Sequence, residues 1–347
     1  MKRHLLFLAA LLIVNLAASA QKKFSVYAVG FYNQENLFDT CHDEGKKDYE
    51  YLPNKGWNGM KYTNKLRNMS KALADMGTDV LPNVGCAFIG LSEVENHKVL
   101  DALVDQAPLK ARNMKYVHIE GPDRRGIDCA LLYNPSLFSV KNVKLLPYVQ
   151  ELAKDSAFFT RGFLTVRGDM AGDDVAVIVC HWPSRFSGPF YRESAARQVK
   201  VIKDSLLNVN QEMKIFVMGD MNDDPVNKSM HVYLQAKPEI SQVGAGDMYN
   251  PWYNVLAKEG KGTLFYSGNW NLFDQIVITP NLLNKDAKKK DYSSLKYWKS
   301  HIFRRDYLIQ QEGQYKGAPL RTTAGGRWLN GYSDHLPVVM YLVKEKK

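Results

Sequence analysis

The sequence predicts a layered α/β domain, and three observations carry that prediction. Short apolar runs rich in β-branched and aromatic residues recur at 25–31, 86–91, 129–133, 175–180, 214–218, 273–278 and 338–342, each the length of a buried strand. Between them, 61–76, 98–106 and 191–207 carry apolar residues at three- and four-residue spacing, the period of a helix with one buried face. Carboxylates, carboxamides and imidazoles gather where the apolar runs end, which is how an α/β sheet collects one site along an edge. No repeat of about 20 to 50 residues is visible, which excludes a solenoid or propeller.

The chain opens on an export signal, since Lys2 and Arg3 precede an apolar run at 5–16 that closes in Ala18, Ser19 and Ala20. That run is shorter than the roughly 20 residues needed to span a bilayer, and no later run reaches that length. Cleavage after Ala20 leaves Gln21 first, with no cysteine there to carry a lipid. Residues 1–20 are therefore read as a signal peptide and 21–347 as a single domain, exported to the periplasm or the medium. The formal net charge of +10 falls to +8 without Lys2 and Arg3, a balance that draws nucleic acid or anionic lipid and equally serves as a soluble, lysine-rich surface. Cys41, Cys86, Cys129 and Cys180 lie far apart with no C-x-x-C spacing, which argues against structural zinc. Export permits disulfides, whereas Cys129 and Cys180 lie in strand runs that suit buried thiols. The stretch 281–305, rich in Lys, Tyr and Ser, breaks the strand rhythm and reads as a surface insertion.

Taken in order, the strand ends supply the chemistry. Asn33 and Glu35 stand two apart after the first run, so on extended backbone both side chains reach one face; as a fragment, NQEN can equally be a turn. Glu93 directly follows CAFIGLS, where a desolvated carboxylate needs a cation or donors. Glu95 shares its parity, but Asn96 and His97 turn the chain outward, so Glu95 is assigned a supporting place. In MGDMNDDP, Asp220 and Asn222 again alternate onto one face, Gly219 permits close backbone approach, and Asp223 and Asp224 suit an Asx-turn. With Asp334, these side chains make an oxygen-rich inventory without cysteine, which suits a hard cation, Mg2+ first, with Mn2+ or Ca2+ as alternatives.

Two of the eight histidines adjoin such motifs: His181, after VAVIVC, and His335, beside Asp334. A lone strand-end histidine is commonly structural, but a pair can protonate or orient both ends of a phosphoester in its transition state. Asp274, opening FDQIVIT, can orient an imidazole or simply turn the chain before Gln275. Arg125 in GPDRRGID, then Arg185 in HWPSR and Arg161 in FFTRGF, are candidates for phosphate, since the guanidinium fork matches its oxygens, although exposed arginine is common. The run SLKYWKSHIFRRDY can stack and grip single-stranded nucleic acid, or form a solvated face with buried anchors.

The motifs NQEN, LSEVEN, GDMND and SDHLPV, in that order and each at a strand end, resemble the N-x-[DE], strand-end Glu, G-D-x-N and S-D-H-x-P motifs of the endonuclease/exonuclease/phosphatase superfamily, the DNase I-like fold. The resemblance spans essentially the whole mature chain. It implies a four-layer α/β/β/α sandwich of two packed mixed β-sheets flanked by helices. It also implies that Glu93 binds Mg2+ aided by Asn33, Glu35 and Asp334, that His335 contacts the scissile phosphate with Asp274 paired to it, and that Asp220 and Asn222 orient nucleophile and phosphate. A histidine at position 181 is similar to the DNase I-like, sphingomyelinase-like and phosphatase branches, and unlike the abasic-site endonucleases. The chain departs from inositol polyphosphate 5-phosphatases in lacking P-x-W-C-D-R. The expectation is a monomeric, exported, Mg2+-dependent phosphodiesterase acting on nucleic acid; a phosphomonoester or phospholipid headgroup would use the same site. A secreted binding module has no need of two histidines and paired carboxylates.

Overall fold

Two sheets lie face to face because their central strands are apolar on both sides. In this computed structural model, residues 23–151, 158–286 and 288–346 are described; the export signal read at 1–20 lies outside them. One sheet runs, edge to edge, Lys296–Ile302, Val338–Glu345, Phe24–Leu37, Cys86–Val94, Asp128–Tyr133 and Lys115–His118. The other runs Ser139–Leu146, Phe163–Met170, Asp173–His181, Lys214–Asp220, Asp274–Ile278, Met248–Tyr249 and Ala236–Lys237. Both sheets are mixed: Phe24–Leu37 pairs parallel with Cys86–Val94 but antiparallel with Val338–Glu345, and Asp173–His181 pairs parallel with Lys214–Asp220 but antiparallel with Phe163–Met170.

Phe31, Phe88 and Leu131 of the first sheet share a buried layer with Val166, Val179, Phe216, Met218 and Ile276 of the second. Each such side chain contributes about 1.5–3 kcal/mol by leaving water. Gly90 lets the sheets close, because a Cβ there would stand 2.7 Å from Met218 Sδ. Outside the first sheet lie the helices Gly59–Asp75 and His97–Val104, whose Leu66, Met69, Leu73, Leu100 and Leu103 join Ile89 and Leu91 in a second layer. Outside the other sheet, Ala195, Ala196 and Val199 of Pro189–Val209 pack in a third layer with Ile178, Ile215 and Val217. Helix, sheet, sheet, helix is the predicted four-layer sandwich. No helix among the described residues is long and apolar enough to cross a membrane.

One expectation changes. The stretch 281–305 is not a surface insertion throughout: Lys296–Ile302 is the edge strand of the first sheet, antiparallel to Val338–Glu345. Its edge position and partial exposure account for the polar sequence. The cysteines form no disulfide; Cys86, Cys129 and Cys180 are buried thiols and Cys41 is exposed.

Candidate active site

Strand register sets the centre of the site. His181, Asp220 and Asp274 are register partners on three adjacent strands, with Asp220 in the middle. The close approach expected at Gly219 is real: a Cβ there would lie 2.2 Å from the Cys180 carbonyl oxygen, so only glycine lets these strand ends converge. His335 arrives from the last loop. Its backbone N–H donates to Ser333 Oγ at 3.1 Å, and Ser333 Oγ donates to the Asn33 carbonyl at 2.8 Å, tying that loop to the first strand.

His335 Nδ1 and Asp274 Oδ2 are 2.6 Å apart, both buried. Burial would lower the histidine's pKa, but Asp274, Asp334 and Asp220 outweigh it and hold the imidazole well above its ordinary value, so it is a cation at neutral pH. Its Nε2 then points toward Asp220 Oδ2 and Asp334 Oδ1, each 3.8 Å away. His181 is the opposite case. Burial, then the positive charges of Arg161, Arg125 and His335, push its pKa well below the ordinary value, leaving a neutral ring whose Nε2 lies 3.7 Å from Asp220 Oδ2 and 3.8 Å from Glu93 Oε1. One imidazole is thus charged and one neutral, a split characteristic of acid–base sites.

Asp220 is held from two sides: Asn33 Nδ2 donates to Oδ2 at 3.0 Å and the Asn222 N–H to Oδ1 at 2.9 Å. Burial, with the nearby charges of Asp274 and Glu93, raises its pKa to about 7 despite His335. Asn222 Nδ2 donates to the Trp182 carbonyl at 2.9 Å. Asn33 is spent on this scaffold, since its Oδ1 accepts the Glu35 N–H at 2.8 Å while its amide holds Asp220. Strand alternation breaks down here. Glu35, Asn36, Glu93 and Asn222 have φ of 44°, 58°, 60° and 49°, and pairing slips between Asn33 and Leu37, so the residues at i and i+2 do not share one extended face. Such left-handed backbone at non-glycine residues costs about 1–3 kcal/mol each and concentrates at functional sites.

The bulge sends Glu35 toward a separate carboxylate cluster. Glu35 Oε2 accepts the Thr322 N–H at 2.6 Å, and Arg321 bridges Glu35 Oε1 at 3.3 Å and Asp334 Oδ2 at 3.0 Å. Glu93 Oε2 accepts the Asn36 N–H at 3.0 Å. Burial and the Asp334 charge raise Glu35 to about 7 even though Lys65, Thr322 and Arg321 oppose them. The carboxylates of Glu35, Asp334 and Glu93 are oxygen donors of the type that hard divalent cations take. Asp220, Asp274 and His335 also bring ligand atoms within 4.8 Å of one another. Asp274 Oδ2 is paired to His335 and both Asp220 oxygens accept N–H donors, while the buried Asp274 Oδ1 has no hydrogen-bond partner, so the trio is a hydrogen-bonded array that still offers one carboxylate oxygen to an ion.

Arg161 reaches the centre, with Nη2 donating to the Trp182 carbonyl at 3.0 Å and Nη1 paired to Asp123 at 3.1 Å. Arg125 donates to Asn36 Oδ1 beside Glu93. Arg185 is engaged elsewhere: it pairs with Asp224 at 2.8 Å, donates to Asn271 at 3.0 Å and lies over the Phe273 ring. Glu95 takes its supporting place, accepting the Asp39 N–H at 2.7 Å. Sequence reasoning passed over Arg321 and Lys65. Lys65 is fully buried, donating to Thr322 Oγ1 at 2.5 Å and to the Tyr332 carbonyl at 2.6 Å, and its ammonium is felt by Glu35, Asp334 and Glu93. A lysine four residues before Met69 on an apolar helix face was a readable signal. Arg321 had none.

The family model described as Endonuclease/Exonuclease/phosphatase family matches residues 28–344. No curated protein matches. Among solved structures, an endonuclease/exonuclease/phosphatase family protein from Bacteroides thetaiotaomicron is 14% identical with a TM-score of 0.55, covering 93% of this chain and 97% of that one. The mannosyl-6-phosphatase Bt3783 of the same organism is 14% identical with a TM-score of 0.54, covering 91% and 99%. D. rerio TDP2 complexed with a single-strand DNA product is 11% identical with a TM-score of 0.53, covering 92% and 99%. At these identities the likeness establishes the fold, two mixed sheets between helices.

Proposed function

This chain belongs to the endonuclease/exonuclease/phosphatase family, and from that premise we propose that it is an exported, monomeric phosphodiesterase that uses Mg2+ to hydrolyse nucleic acid by attack of water on phosphorus. Asp220 is the observation that carries the reading. A buried carboxylate held by Asn33 and the Asn222 N–H, flanked by one neutral and one protonated imidazole, is the arrangement a water-activating base needs. Its pKa of about 7 suits proton removal near neutral pH. The charged Nε2–H of His335, oriented by Asp274, stabilises the charge that develops on the phosphoryl oxygens, and neutral His181 supplies a second donor. Arg161 and Arg125 add positive field from the side of His181. Glu93, Glu35 and Asp334 would hold the Mg2+, which when bound neutralises a phosphoryl oxygen.

The test is incubation of the purified mature protein with plasmid DNA, RNA, sphingomyelin and bis(4-nitrophenyl) phosphate, with Mg2+ or with EDTA. Cleavage of DNA or RNA with Mg2+ alone is expected; intact nucleic acid beside hydrolysis of another ester overturns the substrate assignment. A phosphomonoester is the second reading. The cleft beside Arg321 and Asp334 is lined by Phe265, Tyr266, Ser267, Gln310 and Gln314, uncharged groups suited to a hydroxylated ring. Faster turnover of sugar phosphates than of any diester would favour it.

A further inference from the structure

A second cavity, of about 530 Å³, adjoins the cleft beside Arg321 and Asp334. The two share Phe265, Gln314, Tyr315 and Ala318 as a common wall. The hairpin carrying Phe265 and Trp270 is joined to the catalytic loop, because Leu264 bridges His335 and the Leu336 N–H donates to the Thr263 carbonyl at 2.8 Å. Leu336, next to His335, lines this second cavity. A chain whose phosphodiester sits at His335 can therefore continue past the shared wall into it.

This lining carries more cations than that of the neighbouring cleft. Phe265 and Trp270 pack together with ring centroids 5.3 Å apart, and Tyr315, half exposed, joins Phe265 in the shared wall. Arg304, Lys316 and Lys261 supply three cations against one carboxylate, Glu259, which Lys261 already pairs at 2.8 Å. His301 is turned to Asp79 at 3.3 Å, and burial lowers its pKa, so it adds no cation. Among the described residues no carboxylate lies within ion-pair distance of Arg304 or Lys316. Arg304 instead lies over Gly317, where a Cβ would come within 3.4 Å of its Nη2. The loop that presents Tyr315 and Lys316 is closed on itself, with the Gln310 N–H donating to the Ala318 carbonyl and the Gly317 N–H to the Gln310 carbonyl, both at 2.8 Å. Two unpaired cations beside aromatic faces form a site for a phosphate with an attached base.

We propose that this pocket is a distal nucleotide subsite, in which Arg304 and Lys316 hold a phosphate of the substrate strand away from the bond being cut and Trp270 or Tyr315 receives its base. The proposal rests on the nucleic-acid reading above. Its test compares an oligothymidylate octamer with bis(4-nitrophenyl) phosphate, which is too short to reach the pocket, in wild type and in R304A/K316A. The ratio of the octamer's kcat/KM to that of the small ester is expected to fall about tenfold through KM. The slope of log kcat/KM for the octamer against log salt should become shallower by about 1. Wild type that cuts the octamer, with ratio and slope unchanged in the double variant, overturns the subsite and leaves the nuclease reading intact. Wild type that hydrolyses the small ester but neither cuts nor binds the octamer overturns the nuclease reading, and the subsite with it.

Discussion

Replacing Asp274 with Asn keeps the size of the side chain and removes the charge beside His335. The 2.6 Å contact between Asp274 Oδ2 and His335 Nδ1 is buried at both ends, so the imidazolium loses its closest counter-charge without gaining water. A hydrogen bond to a charged group contributes about 1.5–3 kcal/mol. At 1.36 kcal/mol per decade, that loss slows kcat roughly 10- to 150-fold if the imidazolium stabilises the transition state, and it lowers the His335 pKa. The sign follows from the causes: burial lowers this pKa and Asp274 is the largest influence raising it, so the variant loses the cation at lower pH than wild type. Single-turnover rates at fixed Mg2+ would measure the first effect, with KM nearly unchanged. NMR titration of the imidazole in EDTA-treated protein would measure the second. Wild-type kcat together with an unmoved His335 titration would refute the assignment of this pair.

Glu93→Ala is expected to abolish Mg2+-dependent turnover while thermal denaturation in EDTA stays within a few degrees of wild type; full activity would remove Glu93 from the metal site. Lys65→Met strands Glu35 and Asp334 without their buried cation, so stability in EDTA should fall by about 3–5 kcal/mol. The rise in Tm on adding Mg2+ should exceed that of wild type, because the divalent ion no longer competes with an ammonium; an equal rise would show that Lys65 does not sense the metal. Gly219→Ala drives a methyl to 2.2 Å from the Cys180 carbonyl, which should cost about 3 kcal/mol in urea denaturation and lower kcat by separating His181 from Asp220. Wild-type stability would show that the strands tolerate the wider spacing.

The readable parts of the sequence were those where one physical demand dominates. Strands buried on both faces, such as Cys86–Val94 and Lys214–Asp220, are nearly continuous apolar runs, and a carboxylate at the end of such a run stands out. Edge strands are quieter. Ser139–Leu146 and Lys296–Ile302 are half-exposed and alternate weakly, so the first is absent from the apolar runs and the second lies in the stretch read as an insertion. The strand Phe163–Met170 was hidden by Arg167 and Asp169 near its end. At the site, residue identity was legible and direction was not. The left-handed backbone at Glu35, Glu93 and Asn222 turns side chains off the alternation that the i, i+2 spacing assumes, and nothing in NQEN or LSEVEN signals that φ. Arg321 lies 13 residues before Asp334 in a loop without periodicity, so only the fold brings it to Glu35.

Asp220 is the centre of the proposed mechanism, in which its carboxylate takes the proton of the attacking water. The direct measurement is hydrolysis of bis(4-nitrophenyl) phosphate and 4-nitrophenyl phosphate by EDTA-stripped protein as Mg2+ is returned, in wild type and in Asp220→Asn. Wild type should be silent in EDTA and recover with Mg2+, and the variant should stay at least about a hundredfold slower at every Mg2+ concentration. Turnover in the variant at the wild-type rate, or wild-type hydrolysis that is indifferent to EDTA, would contradict it.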